Sequence, residues 1–347
     1  MRQAWRTLRE VDLGAIKAEA EQRFGLVLIG EPRSTAHLAE TLSARPGQRG
    51  AHPWIVQLPA GDASGLQAAL ARHEGQPRLA LLVTRSVEPG AEAQADLSRL
   101  RAAGVPALTV LLVDGAAEIL GAALPRSGET GRALLPAEPD AEALRDLAPA
   151  LLAATENARG LRLALARQLP ALRGPIVEDL VEEVARTNAG YAFSTGLGEA
   201  LPGVGLALGL ADVLVLTKNQ LVMAYRIALA AGREGSPREL LGEVAGVIGG
   251  GLLFRQIARE LVGLLPVIGI LPKVAVAYAG TRLIGRTVQL WADEGQRLEL
   301  EELRGLYAEA LAGGQRLARE LLHRRGPSEP SAARRADGPD PAASQTP

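Results

Sequence analysis

Two long apolar segments in the second half of the chain constrain its fold more than any other feature. The first opens on Leu201-Pro202-Gly203-Val204-Gly205, and the second opens on Leu265-Pro266-Val267-Ile268-Gly269. Each continues in Ala, Val, Leu and Gly with a single charged residue, Asp212 in the first and Lys273 in the second. Segments of this kind are hidden from water either in a helical bundle or in lipid.

Neither segment is a clean membrane span, because crossing a bilayer takes about 20 consecutive apolar residues. Val204–Thr217 is shorter and contains Asp212, while Leu261–Gly280 is interrupted by two prolines and by Lys273. A buried soluble bundle explains both segments. A shallow or hairpin insertion, with Arg and Lys side chains at the headgroups, explains them equally well.

The composition excludes several classes of site. A net charge of −1 and an aromatic content of 3% provide neither the electrostatic field nor the stacking surface that nucleic acids need. The absence of cysteine excludes disulfides and thiolate metal sites, and the four histidines are scattered along the chain. We therefore expect no metal, no cofactor and no nucleic-acid partner.

The first half of the chain alternates short apolar runs with helical stretches. Continuously apolar runs of this length are typical of strands buried on both faces of a parallel sheet. The runs are Phe24–Ile29, Trp54–Leu58, Arg78–Thr84, Ala107–Val113 and Arg132–Leu135, and the helices between them are Ser34–Ala44, Ala63–Arg72, Ala91–Ala103 and Ala116–Leu124. The alternation predicts an open parallel α/β sheet with right-handed crossovers.

The second half is helical, so we predict an α/β domain followed by an all-α domain. Pro170, Gly174 and Pro175 punctuate the pattern where the two meet, and Gly313-Gly314 separates two predicted final helices, Glu299–Ala312 and Gln315–Arg325. The predicted divisions are an N-terminal amphipathic helix in 1–23, the α/β domain in 24–139, a connecting helix in 140–175, the hydrophobic helical domain in 176–325 and a disordered tail in 326–347.

The end of the first predicted strand is the place where a phosphate-binding loop would lie. That loop needs the pattern G-x-x-x-x-G-K-[ST]. Counting from Gly30, the required Gly, Lys and Ser/Thr are replaced by Thr35, Ala36 and His37. The magnesium and guanine motifs are missing from the following strands as well. If the α/β fold is P-loop-NTPase-like, its nucleotide site is degenerate.

Gly30, Arg33, Ser34 and Thr35 are the residues that could still form a weak nucleotide site. Backbone N–H groups and polar side chains at a helix N-terminus can hold an anion. The alternative is that Ser34 or Thr35 simply caps the helix.

The helical half resembles a known family. Thr217-Lys218-Asn219-Gln220, the two L-P-x-x-G openings and the run from Leu271 to Thr281 resemble the bacterial family called domain of unknown function 697. The resemblance covers roughly Leu180 to Leu311. It implies a membrane-associated helical module, which in that family often follows a small GTPase domain. It also implies a GTPase-like ancestry for residues 24–137, although the missing motifs argue against GTP hydrolysis.

A seam of polar residues runs along the first apolar segment. Asp212, Asn219 and Arg226 are spaced seven residues apart and so share nearly one helical face, with Lys218 beside them. The seam either lines a site, with Asp212 pairing with Lys273 across the bundle, or locks the register or faces solvent. An isolated buried charge is costly, so Asp212 needs a partner or water.

Two pairs of arginines are also spaced for one helix face, Arg255 with Arg259 and Arg282 with Arg286. Such pairs either bind anionic lipid headgroups or form local salt bridges with nearby glutamates.

Together these features predict a non-catalytic regulatory or scaffolding protein that associates with a membrane through its C-terminal helical hairpins. The expected location is the cytoplasmic face of the inner membrane, peripheral or hairpin-inserted. The expected partners are a membrane surface or membrane protein and an unidentified protein, with self-association as a further option. The alternatives are a GTP-binding and GTP-hydrolysing protein with an atypical phosphate loop, and a soluble cytoplasmic helical interaction protein.

Overall fold

The first part of the chain forms a five-stranded parallel sheet, as the apolar runs predict. The structure, a computed structural model, describes residues 10–44, 54–114, 131–154, 160–198, 205–249, 270–296 and 298–324. The strands are β1 (Gly25–Gly30), β2 (Ile55–Leu58), β3 (Arg78–Thr84), β4 (Ala107–Val113) and β5 (Gly131–Pro136). Their order in the sheet is β2-β1-β3-β4-β5, so the direction of winding reverses between β1 and β3. In open α/β sheets the crevice at such a reversal is the usual place for a ligand.

Helices cover both faces of this sheet. The helices are α1 (Leu13–Glu21), α2 (Pro32–Ser43), α3 (Ala63–Arg72), α4 (Ala91–Ala102), α5 (Leu147–Ala154) and α6 (Arg162–Gln168), with a 3₁₀ turn at Ala143–Arg145. Alternate residues of β1 point to opposite faces of the sheet. Val27 and Ile29 pack with α3 and α4, while Leu26 and Leu28 belong to the core shared with α1, α2 and α5. The helix predicted at Ala116–Leu124 lies outside the described residues.

In the described residues after the sheet, five longer helices form a bundle. They are α7 (Pro170–Gly198), α8 (Gly205–Ala230), α9 (Pro237–Gly249), α10 (Ile270–Glu294) and α11 (Leu300–Arg324). Helices α7 and α8 are antiparallel neighbours, and so are α7 and α10, because Asn188 of α7 contacts Thr281 and Thr195 contacts Lys273. The predicted sequence of an α/β part followed by a helical part is confirmed.

Helix α7 continues without a break through Gly174 and Pro175, the residues at which the sequence predicted a boundary. Pro170 is its first residue, a position at which proline costs no hydrogen bond. Pro175 lies inside the helix, where it removes the bond to the Ala171 carbonyl. Both Ala171 and Pro175 line an open cleft. The division proposed between 175 and 176 therefore falls within one helix.

The sheet and the bundle share one hydrophobic core. Leu28 of the sheet, Val177 of α7 and Tyr225 of α8 belong to a single cluster of buried side chains. Polar contacts reinforce it at the rim, where the Arg167 guanidinium donates to the Leu229 carbonyl over 2.9 Å. The two parts are therefore packed as one body rather than joined by a linker.

The prediction of two final helices is wrong, because α11 runs without a break through Gly313 and Gly314. A Cβ atom on Gly314 would lie 2.6 Å from the carbonyl oxygen of Ala275 in α10, and one on Gly313 would lie 3.2 Å from the Tyr278 ring. The glycine pair marks a close helix crossing, where any larger residue would push the two backbones apart.

The two apolar connections leave from the same end of the bundle. Helix α7 ends at Gly198, and α8 and α10 begin at Gly205 and Ile270, all at the end that we call the loop end. The two L-P-x-x-G openings belong to these connections and, apart from Gly205, lie outside the described residues, as do Asp212's side chain and the tail.

Among the helices that the structure describes, none combines the length and the hydropathy needed to cross a bilayer.

We predict that Gly314→Ala destabilises the protein by about 1–3 kcal/mol, because the added methyl meets a backbone oxygen that cannot move aside. Gly305 of the same helix is exposed and has open space around it, so Gly305→Ala is the matched control and should stabilise by roughly 0.5–1 kcal/mol. Urea unfolding of both variants measures the difference. Equal stability of the two variants would show that the crossing is not tight.

Candidate functional site

The junction between β1 and α2, where a phosphate-binding loop would lie, is a direct turn from strand to helix. Strand β1 ends at Gly30 and helix α2 begins at Pro32, so Glu31 alone connects them. Gly30 has a φ of +157°, and a Cβ there would lie 2.3 Å from the carbonyl oxygen of Val83 in β3. The glycine is therefore needed for strand packing. A backbone that turns at once into a helix cannot wrap around a phosphate group.

The start of α2 is also unsuited to an anion. Proline at its first position has no N–H to donate, and the Glu31 carboxylate accepts a 3.3 Å hydrogen bond from the Ser34 hydroxyl. The Thr35 hydroxyl donates within the helix to the Glu31 and Pro32 carbonyls. Neither hydroxyl caps the helix, because the helix starts before them. Glu31 itself places a negative charge where a phosphate would bind.

The four residues predicted for a weak nucleotide site are only partly brought together. Gly30 and Ser34 line a cavity of about 410 Å³ at the reversal between β1 and β3, beside Arg85. Arg33 is exposed and points instead to Glu138, at 3.4 Å. The Arg85 guanidinium, the cation of this cavity, lies 3.8 Å from Glu31. It also lies 3.3 Å from Asp114 and is thus already paired.

Part of the polar seam forms a hydrogen-bonded network between three helices. Asn219 of α8 donates to the Asn188 side-chain oxygen of α7 at 2.7 Å, and Asn188 donates to the Thr281 hydroxyl of α10 at 2.9 Å. Gln220 donates to the same hydroxyl at 3.2 Å, and the Thr281 hydroxyl donates a hydrogen bond to the Ala277 carbonyl. Asn188 and Thr281 are fully buried. This is the arrangement expected of a register lock.

The other seam residues lie apart from this network. Lys218 pairs with Glu10 at 3.1 Å, near the start of the described chain. Arg226 interacts electrostatically with Glu19 of α1, where burial raises the pKa of the Glu19 carboxyl in spite of that arginine. Lys273 donates to the Thr195 hydroxyl of α7 at 3.3 Å. The pairing of Asp212 with Lys273 stays a prediction.

Glu182 of α7 is the centre of a second polar cluster. Its carboxylate accepts hydrogen bonds of 2.6 Å each from the Tyr278 hydroxyl, the Arg186 Nε and an Arg282 nitrogen. Burial works to raise the pKa of the Glu182 carboxyl, but these three donors outweigh it and lower the pKa below its ordinary value. Burial and the hydrogen bond to Glu182 raise the pKa of the Tyr278 hydroxyl. The cluster ties α10 to α7.

An open cleft of about 780 Å³ lies beside this cluster, between α7, α10, α11 and the 3₁₀ turn. Small and apolar residues form its floor, among them Gly174, Val181, Leu283 and Ala310. Charged side chains form its rim, namely Glu142, Arg145, Glu178, Arg282, Arg286, Glu309 and Arg316. Sequence reasoning found the Arg282 and Arg286 pair but missed the rest, because they come from four separate segments. The partners predicted for such pairs were near neighbours in sequence, whereas Arg282 pairs with Glu182 and Glu178 of α7.

The sequence matches no protein-family model and no curated protein. The resemblance to the domain of unknown function 697 family therefore stays a prediction. Within the described residues, no three histidine or carboxylate side chains come together as metal ligands.

We predict that Asn188→Ala destabilises the protein by about 1–3 kcal/mol, since it removes a fully buried amide and leaves the part-buried Asn219 side chain without its acceptor. Thr187→Ala on the same helix is the control: Thr187 is exposed and bonds only to the carbonyl one turn earlier, so we expect a change below ~0.5 kcal/mol. Chemical unfolding checks both values. A double-mutant cycle with Asn219→Ala should show positive coupling, and additive effects would argue against a network.

A further prediction concerns acid stability. Because the folded-state pKa of Glu182 lies below its ordinary value of 4.5, its ionised form stabilises the fold above that pH, and this contribution is lost as the pH falls through the folded-state pKa. Glu182→Gln should cost about 1–2 kcal/mol at neutral pH and should flatten the loss of stability in acid.

Tyr278→Phe removes one of the three donors, so it should have the same effect to a smaller degree. Unfolding free energies of the wild type and the two variants, measured from neutral to acid pH, test the ordering. An acid slope of Glu182→Gln identical to that of the wild type would contradict it.

Proposed function

We propose that this chain is a non-catalytic regulatory or scaffolding protein, a pseudo-GTPase in its first part, which docks on a membrane through the loop end of its bundle. The α/β domain then presents a surface to a protein partner. The observation that carries the non-catalytic part is the direct passage from Gly30 through Glu31 to Pro32. It removes the loop, one N–H donor and the electrostatic attraction that a nucleotide phosphate requires.

Support for docking comes from the exposure of α8. Leu214, Val215 and Leu216 are consecutive and none of the three is fully buried. Neighbouring residues of a helix point about 100° apart, so apolar surface faces solvent in several directions. Further along the same helix, Met223 and Tyr225 are fully buried. The apolar surface is thus concentrated toward the loop end, where both L-P-x-x-G connections leave the bundle.

Apolar side chains that remain partly accessible on neighbouring positions are consistent with a surface that contacts a membrane or a protein. Lys273 lies in the first turn of α10, near the loop end, where its ammonium group can interact with anionic headgroups. The resemblance to a membrane-associated family favours the lipid surface. The corresponding location is peripheral, at the cytoplasmic face of the inner membrane.

We predict that the full-length protein floats with vesicles of phosphatidylcholine and phosphatidylglycerol in a density gradient. Leu214→Asp should abolish or strongly reduce flotation, because it places a charge in the surface that enters the headgroup region. Val87→Asp is the matched control, since Val87 is an exposed valine of the α/β domain and its replacement should leave flotation unchanged.

Wild-type protein that stays wholly in the aqueous phase would refute membrane docking and favour the soluble interaction protein. A calorimetric titration of the same preparation with GTP and Mg²⁺ addresses the non-catalytic part separately. We expect no saturable heat, whereas GTP binding or turnover would favour the GTPase with an atypical loop.

A further inference from the structure

The open cleft beside Glu182 carries charges that the fold itself does not use. Arg145 and Arg282 are neutralised by Glu178, at 3.1 Å and 3.9 Å, and Arg282 is also bound by Glu182. Arg286 and Arg316, by contrast, form no ion pair with any residue that the structure describes. Arg286 has a neutral partner, the Gln289 side-chain oxygen at 3.1 Å. Two guanidinium groups in one cleft are thus free to bind an external anion.

Two carboxylates in the same cleft are also unused. Glu142 of the segment before the 3₁₀ turn and Glu309 of α11 both line it, and neither pairs with a cation in the described part of the chain. Four arginines and three glutamates line the cleft in total, which leaves one net positive charge. A polyphosphate would be repelled by the carboxylates, while a single phosphate group accompanied by an amine would satisfy both kinds of unused charge.

The shape of the cleft agrees with a ligand of that size class. Its volume of about 780 Å³ exceeds what a phosphate needs and leaves room for an organic body against the floor of Val181, Leu283 and Ala310. Close helix packing also fixes the backbone positions of the two segments that carry Arg286 and Arg316. Gly285, next to Arg286, is packed so tightly that a Cβ there would lie 2.5 Å from Val181, and Gly313 and Gly314 hold α11 against α10 just before Arg316.

We propose that this cleft binds a phosphate ester that also carries an amine, of the phosphoethanolamine type. Arg286 and Arg316 bind the phosphate oxygens, because guanidinium groups match the geometry of phosphate. Glu309 and Glu142 bind the ammonium group. The same chemistry occurs in a free phosphorylated amine and in a lipid headgroup. The cleft lies away from the loop end, so this site is independent of the docking surface proposed above.

The test is a calorimetric titration of the full-length protein with O-phosphoethanolamine at low ionic strength. We expect saturable binding that weakens with added salt, and that weakens by at least about tenfold in Arg286→Gln and in Arg316→Gln. Arg304→Gln is the matched control, because Arg304 is an exposed arginine of α11 outside the cleft. Both cleft arginines are exposed, so circular dichroism should show an unchanged fold.

The role of the carboxylate is tested with a second variant. Glu309→Gln should weaken O-phosphoethanolamine but not inorganic phosphate, since only the former carries an amine. Equal binding of the two anions by the wild type would overturn the assignment of the amine.

Vesicles of phosphatidylcholine with and without phosphatidylethanolamine distinguish the two sources of the ligand. Binding that requires phosphatidylethanolamine and is lost in Arg286→Gln identifies a headgroup, whereas binding of the soluble compound alone identifies a free metabolite. No saturable binding of either probe, or binding that is unchanged in both cleft variants, would overturn the proposal. Leu214→Asp should leave the soluble titration unchanged, so failure of membrane docking and failure of this site are distinguishable.

Discussion

The close approach of α10 to its two neighbours is the constraint on which the rest of the bundle depends. Gly285 lets α10 contact Val181 of α7, and Gly314 lets α11 contact the backbone at Ala275. Side chains as small as these bring helix axes close together, so that dispersion contacts extend along the backbones themselves. The short hydrogen bonds of the bundle then follow, because Asn188, with only two side-chain carbons to span the gap, reaches Thr281.

This tight packing explains why polar groups are tolerated in so apolar a bundle. A buried amide without partners is costly, but Asn188 both donates to Thr281 and accepts from Asn219. A shift of α10 along α7 would break these bonds and would also move Gly285 away from Val181. The polar network and the glycine contact therefore favour the same register of the helices.

The sequence predicted the sheet far better than the details of the bundle. The strands were recognisable because a run such as Ala107–Val113 is apolar on both faces, which only a central parallel strand requires. The prediction of a break at Gly313-Gly314 was wrong, because a glycine pair that weakens an isolated helix also allows a close crossing: a Cβ on Gly314 would lie only 2.6 Å from the Ala275 carbonyl oxygen. The sequence around the glycine pair does not show that α10 packs against it, so a helix break and a close helix crossing have the same local sequence pattern.

The candidate sites divide in the same way. Asn219 was predicted from its seven-residue spacing in the polar seam, and it enters the network together with Gln220, which was not predicted. Their partners Asn188 and Thr281 come from other helices and carry no local signal that links them. The cleft is still less visible, since its free arginines lie on two different helices and become one site only through the fold.

The β1–α2 junction and the cleft in the helical bundle therefore differ in the charges that they present to a ligand. At the β1–α2 junction, the Glu31 carboxylate lies where a bound anion would lie. The crevice between β1 and β3, which the sheet topology favours as a ligand site, is therefore unsuited to a phosphate group. In the bundle, Glu182 neutralises Arg282 but leaves Arg286 and Arg316 without a carboxylate among the described residues. The cleft in the bundle therefore presents cationic side chains that no described carboxylate neutralises, and the anion site that we propose there rests on this difference.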